Sequence, residues 1–127
     1  ESINFKIPEG NYFFNFEKVS KRTYLDIASV NTAVLFYMKD EIITQIHMSA
    51  GGVSAVPFYL FKTCDYLKGK ILNAENIKEA VSVSAEEISP ISDARGSAEY
   101  KSLLLSRLIF THFITLFPEL IELSETI

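Results

Sequence analysis

The chain has 127 residues, 48% of them hydrophobic, with a formal net charge of −4 and a pI near 5.2. These values predict a single folded domain and exclude an intrinsically disordered chain. The acidic balance argues against a nucleic-acid-binding protein, which needs a basic surface to neutralise phosphates.

The first half of the chain is predicted to form β-strands. Residues 2–8 alternate like an exposed edge strand, an unusual start for a domain, and this suggests the C-terminal piece of a longer protein. Residues 11–20, 26–38 and 41–50 are rich in aromatic and β-branched side chains and predict three strands of an antiparallel meander. In the third strand, strict alternation places Ile42 and Ile46 on one face and Ile43 on the other.

Two adjacent glycines mark the change from strands to helices. Gly51 and Gly52 can adopt backbone angles that other residues resist, and they let another backbone or a ligand approach closely. The simpler interpretation is a turn that needs glycine only for its geometry. Pro57 then suits the first turn of a helix.

Three helices are predicted in the second half of the chain. The first takes its apolar spacing from Phe58 onwards and ends near Gly69. Asn73 is expected to cap the second helix, and Ser97 the third, over residues 98–117. This last helix is apolar on nearly all sides, which indicates burial or a partner on its second face.

Strands followed by segregated helices predict an α+β fold. It would be an α/β sandwich in which three helices pack on one face of a three-stranded, possibly four-stranded, antiparallel meander. The most apolar run, residues 103–117, is too short to span a bilayer, so we expect a soluble, cytoplasmic protein.

The residues that could support catalysis are isolated. Cys64 is the single cysteine, so a disulfide, a four-thiolate iron–sulfur cluster and a zinc ribbon within the chain are excluded, and a packed thiol is predicted. His47 and His112 are the two histidines, and each is predicted to be a hydrogen-bonded structural residue. The sequence therefore predicts no catalytic residue and no metal site.

The adjacent carboxylates are predicted to be solvated surface charges, because neighbours along a helix do not face each other. They are Asp40-Glu41 and Glu86-Glu87. The loop from Asp93 through Arg95 is explained by an ion pair beside a helix cap.

Three motifs follow one another in the order and spacing of a known family. They are Phe16-x-Lys18-x-x-x-Arg22-x-x-x-Asp26-Ile27-Ala28-x-Val30, then Gly51-Gly52-Val53 with Pro57 and Leu67-x-Gly69, and then Ile88-x-Pro90-x-x-Asp93-x-Arg95-x-Ser97-Ala98-x-Tyr100 before a leucine-rich helix. Over about residues 7–113 they resemble the C-terminal domain of the FAD-binding subunit of molybdenum hydroxylases. This flavoprotein family includes xanthine dehydrogenases and carbon monoxide dehydrogenases.

The resemblance implies that residues 1–127 form one domain, which follows an N-terminal FAD-binding domain absent from this chain. FAD would be the cofactor of the complete subunit and would not be retained by this domain alone. Molybdopterin and 2Fe–2S clusters would belong to partner subunits or domains. The domain would cover the flavin and pack against those partners during electron transfer from iron–sulfur clusters to FAD, without nucleic-acid or membrane partners. On its own it would be inactive.

The resemblance also assigns roles to individual residues. Lys18 matches a lysine that contacts FAD, and a cation there would stabilise the reduced flavin. Gly51 and Gly52 are further positions where the cofactor could approach. The remaining motif residues are expected to hold the structure: Arg22, Asp26, Asp93, Arg95, Ser97 and Tyr100.

Two departures from the family pattern lie near the last motif. Lys101 replaces the usual arginine after the tyrosine, which puts an ion pair there in doubt. Gly96 precedes Ser97 and is expected to loosen the helix cap.

A second interpretation belongs to another class of protein. The chain could be a stand-alone, non-enzymatic binding or dimerisation domain that keeps the fold without flavin. The reading frame upstream of Glu1 separates the two interpretations, because only the flavoprotein requires an in-frame FAD-binding domain.

Overall fold

The computed structural model of the protein describes residues 11–19, 29–93 and 96–118. The strand predicted over residues 2–8 and the motif residues Arg22, Asp26 and Arg95 lie outside these ranges. The elements of the described part are strands β1 (Tyr12–Val19), β2 (Val30–Lys39), β3 (Ile42–Gly51) and β4 (Phe58–Tyr59), and helices α1 (Phe61–Leu67), α2 (Ala74–Glu87) and α3 (Ala98–Leu116).

The strands form one antiparallel sheet in the order β1-β2-β3-β4. Each strand pairs with its neighbour in the sequence, as a meander requires. The predicted α+β fold is confirmed, and the sheet takes the four-stranded form of the prediction.

The prediction of a helix directly after Pro57 is wrong. The next two residues form β4, which pairs with the end of β3. The backbone N–H of Leu60 also donates to the carbonyl of Met48 at 2.9 Å, and α1 begins only at Phe61. The chain turns back alongside β3, whose unpaired edge offers these residues ladder hydrogen bonds in place of a helical turn.

The β2–β3 hairpin has a two-residue turn at Asp40 and Glu41. Both residues have positive φ, 52° and 67°. This is the backbone geometry of a type I′ turn, in which Asn-Gly is the preferred pair. The tightest kind of hairpin therefore forms here without its usual sequence signature.

A β-bulge in β3 reverses the side-chain faces predicted at the start of that strand. The pairing with β2 shifts by one residue, which leaves Thr44 as the extra residue. Because one extra residue moves the alternation by one position, Ile43 is buried together with Ile46, while Ile42 is 38% exposed. The prediction that Ile42 and Ile46 share a face is wrong for this reason.

The helices cover one face of the sheet, which we call the inner face. α3 contacts β1 and β2, α1 contacts β3, and α2 packs against the other two helices. The apolar residues of α3 that are buried in this layer are Leu104, Leu105, Leu108, Ile109, Phe110 and Phe113. Burial within the domain thus accounts for most of the apolar surface of α3, with Leu103 left 50% exposed.

The predicted caps of α2 and α3 are confirmed. The Asn73 side chain accepts a hydrogen bond from the N–H of Asn76 at 2.8 Å, and the Ser97 hydroxyl accepts from that of Tyr100 at 3.0 Å. Gly96 does not loosen the second cap. A Cβ atom at this position would lie 2.8 Å from the ring of Tyr100, so glycine lets that ring pack against the loop.

The N-terminus of α1 is capped by a residue of another helix. Glu87, the last residue of α2, accepts hydrogen bonds from the backbone N–H groups of Lys62 (3.0 Å) and Thr63 (2.8 Å), and from the Thr63 hydroxyl (2.6 Å). The prediction that Glu87 is a solvated charge is therefore wrong, whereas its neighbour Glu86 is exposed.

Candidate functional site

The sheet face opposite the helices carries exposed aromatic side chains. On β1, Tyr12, Phe14 and Phe16 are 45%, 55% and 52% exposed and alternate with residues that lie toward the helices. We call this side of the sheet, together with the adjacent Phe61, the outer face. The strand register arranges it in rows, which include Phe14–Leu35–His47, Phe16–Ala33–Ser49–Tyr59 and Lys18–Asn31–Gly51.

The last of these rows brings together two positions that the sequence could only predict separately. Lys18 pairs with Asn31, and Asn31 pairs with Gly51, so the three residues cross the sheet at one end of the outer face. Lys18 is exposed. A Cβ atom at Gly51 would lie 2.7 Å from Nδ2 of Asn31, so the Asn31 amide occupies the space that the glycine leaves.

Gly52 is required by the packing of the chain itself. Its φ is +84°, and a Cβ atom there would collide with the carbonyl oxygen of Ser29. This geometry supports the interpretation of Gly51-Gly52 as a turn that needs glycine. A contact of either glycine with a cofactor stays a prediction.

A cleft of about 370 Å³ lies beside this end of the sheet, between Gly51, Val56, Ile91 and Lys101. Lys101 is only 3% exposed, and its ammonium forms an ion pair with Asp93 at 2.9 Å and donates to the carbonyl of Ile91 at 2.7 Å. Lysine therefore supplies the ion pair that the missing arginine put in doubt. Because the ammonium already has these partners, the cleft offers a ligand little net charge.

A hydrogen-bonded pair lies near the centre of the outer face. Nδ1 of His47 is 2.8 Å from the hydroxyl oxygen of Tyr59, and Nε2 is 3.1 Å from the side-chain amide of Gln45. Burial, followed by the neighbouring Cys64 thiol, raises the pKa of Tyr59 to about 12. The Gln45 contact is made by the amide nitrogen, which can only donate, so Nε2 of His47 accepts it and Nδ1–H donates to the hydroxyl oxygen of Tyr59.

Sequence reasoning missed Tyr59. The strand that orients it was predicted as part of a helix, so no local pattern placed its side chain beside His47. The alternation of β3 did indicate the orientation of His47. The prediction of a hydrogen-bonded His47 is confirmed, although the side chain is exposed on the outer face.

The other two candidate residues are buried structural side chains, as predicted. Cys64 accepts a hydrogen bond from the N–H of Met48 at 3.1 Å, and burial raises the pKa of its thiol. His112 is fully buried, with hydrogen bonds to Asn15 and Thr32. Neither side chain has the exposure that a nucleophile or a general base requires.

In residues 11–19, 29–93 and 96–118, no helix combines the length and hydrophobicity needed to cross a membrane. Within the same ranges, no three His, Cys, Asp or Glu side chains are grouped as metal ligands.

The fold and the candidate surface define a class of protein: an α+β domain whose helices cover one sheet face and whose other face is open and aromatic. Residues 15–116 match the family model of the CO dehydrogenase flavoprotein C-terminal domain. The chain belongs to this family, and the resemblance found in its motifs is confirmed.

Two curated relatives are medium chains or subunits of oxidoreductases. The chain is 33% identical over 86 residues to the glyceraldehyde dehydrogenase medium chain of Sulfolobus acidocaldarius, covering 68% of this chain and 30% of the relative. It is 32% identical over 84 residues to the nicotine 6-hydroxylase medium subunit of Paenarthrobacter nicotinovorans, covering 66% and 30%. The matched region thus spans less than one third of either relative.

Solved structures share the fold. A CO dehydrogenase structure from Oligotropha carboxidovorans matches 81% of this chain and 36% of its own, with a TM-score of 0.75 and 22% identity. Quinoline 2-oxidoreductase from Pseudomonas putida 86 matches 86% of this chain and 38% of its own, with a TM-score of 0.75 and 21% identity. The four-stranded sheet with its helical layer is therefore a recurrent domain of larger proteins.

Proposed function

We propose that this chain is the C-terminal domain of the FAD-binding component of a molybdenum-hydroxylase-type oxidoreductase. In this function the domain lies over the flavin and contributes no catalytic residue. The complete protein would also have an N-terminal FAD-binding domain, and iron–sulfur and molybdopterin subunits or domains would pass electrons to the flavin.

The observation that carries the proposal is the Lys18–Asn31–Gly51 row. Two of the positions that the family motifs assign to the cofactor lie in this one row of the exposed sheet face. If Lys18 faces the flavin, Gly51 faces it too, because strand pairing fixes both residues relative to each other.

The residues in and beside this row fit a flavin. Lys18 is an exposed cation, Asn31 offers an amide, and the neighbouring aromatic side chains give a flat apolar surface. When bound, FAD accepts and passes on electrons. The Lys18 ammonium would stabilise negative charge on the reduced ring and so raise the reduction potential.

The experiment is the substitution Lys18→Ala in the complete subunit that carries this chain. We expect FAD affinity to fall about tenfold, because one charge-assisted contact is lost, or the reduction potential of the flavin to fall. The measurements are FAD per polypeptide after gel filtration and a redox titration of the flavin.

Two further variants make this test specific. Lys18→Arg keeps the positive charge and should preserve most of the effect. Lys39→Ala removes an exposed lysine at the opposite end of β2 and should change neither quantity. Unchanged FAD content and potential in Lys18→Ala would remove Lys18 from the flavin site.

The second candidate function is a stand-alone binding or dimerisation domain without flavin. The open aromatic outer face favours this function, because an exposed apolar face of this kind marks a surface that binds a partner. An in-frame FAD-binding domain upstream of Glu1, with bound FAD in the purified protein, would exclude this alternative.

A further inference from the structure

The side-chain amide of Asn31 lies against the Cα atom of Gly51. A Cβ atom at Gly51 would lie 2.7 Å from Nδ2, 3.1 Å from Oδ1 and 3.2 Å from Cγ of Asn31, and these would be its three nearest atoms. The whole amide group therefore occupies the space in which any other residue would place its side chain. The absence of a side chain at position 51 thus decides where this amide lies on the sheet.

The Asn31 amide has no hydrogen-bond partner in the described part of the chain. Within residues 11–19, 29–93 and 96–118, no hydrogen bond involves Nδ2 or Oδ1, although the residue is half-buried. A side-chain amide can donate two hydrogen bonds and accept two. Covering this end of the sheet with an apolar group would strip these atoms of water without replacement, at a cost in free energy. A group that covers Asn31 should therefore offer hydrogen-bond donors and acceptors of its own.

The neighbour of Asn31 in the row limits which part of a flavin the amide can reach. Lys18 lies directly opposite Asn31 on β1, and the Cβ atoms of such a pair are about 5 Å apart. The negative charge of a reduced flavin lies around N1 and the C2 carbonyl, on the pyrimidine edge of the ring. If the Lys18 ammonium stabilises this charge, Asn31 lies beside the same edge. That edge carries an N–H donor at N3 between two carbonyl acceptors, which is complementary to a side-chain amide.

We propose that Asn31 binds the pyrimidine edge of the flavin, with Oδ1 accepting from N3–H and Nδ2 donating to an adjacent ring carbonyl, and that Gly51 is the positioning residue for this amide. The inference rests on the proposed function, because it requires the flavin at the Lys18 end of the outer face. It gives Gly51 an indirect role, since the glycine makes room for Asn31 and does not itself contact the cofactor. The uncharged amide adds recognition of the ring to the electrostatic effect of Lys18.

The substitution Asn31→Ala in the complete subunit measures the contribution of the amide. We expect the FAD affinity of the apoprotein, titrated by the quenching of flavin fluorescence, to fall about three- to tenfold, the usual range for hydrogen bonds between neutral groups. Gln45→Ala is the matched control, because it removes a side-chain amide from the same face three rows away, on the order of 20 Å along the strands. Equal FAD affinity of Asn31→Ala and the wild type would overturn the proposal.

A modified cofactor tests which part of the flavin is bound. FAD methylated at N3 cannot donate a hydrogen bond from this position, and the methyl group keeps the amide away from the adjacent carbonyls. The wild type and Asn31→Ala should therefore bind this analogue with affinities within about twofold of each other. A difference as large as that for FAD itself would show that Asn31 contacts the ribityl chain or the phosphates, and would overturn the assignment to the pyrimidine edge.

The substitution Gly51→Ala should displace the amide without changing its chemistry. The φ angle of Gly51 lies outside the left-handed region, so alanine fits the backbone, and the new methyl group meets the end of the Asn31 side chain. FAD affinity should fall about as much as in Asn31→Ala. In the double variant Asn31→Ala/Gly51→Ala the methyl group meets no amide, so we expect no further loss. Additive losses would show that Gly51 itself contacts the cofactor, and would overturn its positioning role.

Thermal unfolding of the apoprotein separates a displaced amide from a damaged fold. Gly51→Ala should not lower Tm, because alanine costs less conformational entropy than glycine within a strand. A lower Tm in Gly51→Ala would attribute its weaker FAD binding to folding and would overturn the positioning role.

This inference and the proposed function fail in different ways. A complete protein that contains no FAD and has no affinity for added FAD would contradict the function. FAD binding that Lys18→Ala weakens and Asn31→Ala leaves unchanged would keep the function and contradict this inference alone.

Discussion

Nδ1 of His112, in α3, lies 2.9 Å from the side-chain amide nitrogen of Asn15, in β1. Because the Thr32 hydroxyl donates to the carbonyl of Ser49 at 2.7 Å, it can accept from Nε2 of His112, 3.3 Å away. These bonds describe a neutral imidazole with its proton on Nε2. The histidine thereby ties an edge strand and a central strand to the helix that covers them.

This buried imidazole should make the protein less stable in acid. Burial lowers the pKa of His112 from 6.5 to about 4. The unfolded chain therefore takes up the proton first, and the stability that neutral His112 supports is complete above about pH 6.5 and lost as the pH falls toward 4. The shift corresponds to roughly 3 kcal/mol.

The measurement is urea unfolding at a series of pH values between these limits. His112→Gln should flatten the pH dependence of the free energy of unfolding by about that amount. Equal slopes in the wild type and His112→Gln would contradict the assignment.

The cap that Glu87 provides for α1 should contribute measurably to stability. Glu87→Ala removes the acceptor of three hydrogen bonds, and we expect a loss of about 2 kcal/mol. Glu87→Gln keeps one acceptor oxygen, so its stability should lie between that of the wild type and that of Glu87→Ala. Glu86→Ala is the matched control, because it removes an exposed carboxylate one residue earlier. Chemical denaturation of the set checks the order, and equal stability of the two alanine variants would contradict it.

The β2–β3 turn should be open to stabilisation. Asp40 and Glu41 both have positive φ, where Asn and Gly are less strained. The double substitution Asp40→Asn/Glu41→Gly should stabilise the protein by about 1 kcal/mol and raise Tm by about 3–5 °C. As a control, Lys68→Gly introduces glycine at an exposed residue with φ of −62° and should lower Tm. A lower Tm in the double variant would argue against the type I′ geometry.

The ion pair between the buried Lys101 of α3 and Asp93 gives a prediction about arginine at position 101. Lys101→Met removes the ammonium that pairs with the carboxylate of Asp93 and donates to the carbonyl of Ile91. We expect a loss of about 1–3 kcal/mol, since Asp93 is partly exposed and can be solvated. Lys101→Arg keeps the charge and should lose less. Lys78→Met, at an exposed lysine of α2, should leave the stability measured by calorimetry nearly unchanged. If Lys101→Met is as stable as Lys101→Arg, the pairing is refuted.

Local patterns were sufficient for the order of β1 to β3 and of the three helices, and for two helix starts. The aromatic and β-branched content of β1 and β2, and the capping residues Asn73 and Ser97, act within a few residues, so they can be read without a structure. The family motifs could be recognised for the same reason, because each is short and their order is linear.

Local patterns failed where a distant segment decided the outcome. The bulge at Thr44 depends on how β3 aligns with β2, and it exchanged the faces of Ile42 and Ile43. β4 depends on the free edge of β3, and the role of Glu87 depends on α2 ending beside α1. None of these relationships leaves a periodic signal in the segment itself.

The sequence by itself determined the fold class, the caps of α2 and α3 and the family, because propensity, periodicity and motif order act along the chain. Only the tertiary structure decided that Lys18 and Gly51 share one row, that Tyr59 meets His47, and that Phe16 and Tyr59 lie in one row of the outer face. These juxtapositions join residues far apart in sequence. They arise from strand register and sheet order, which are set when the whole core is buried.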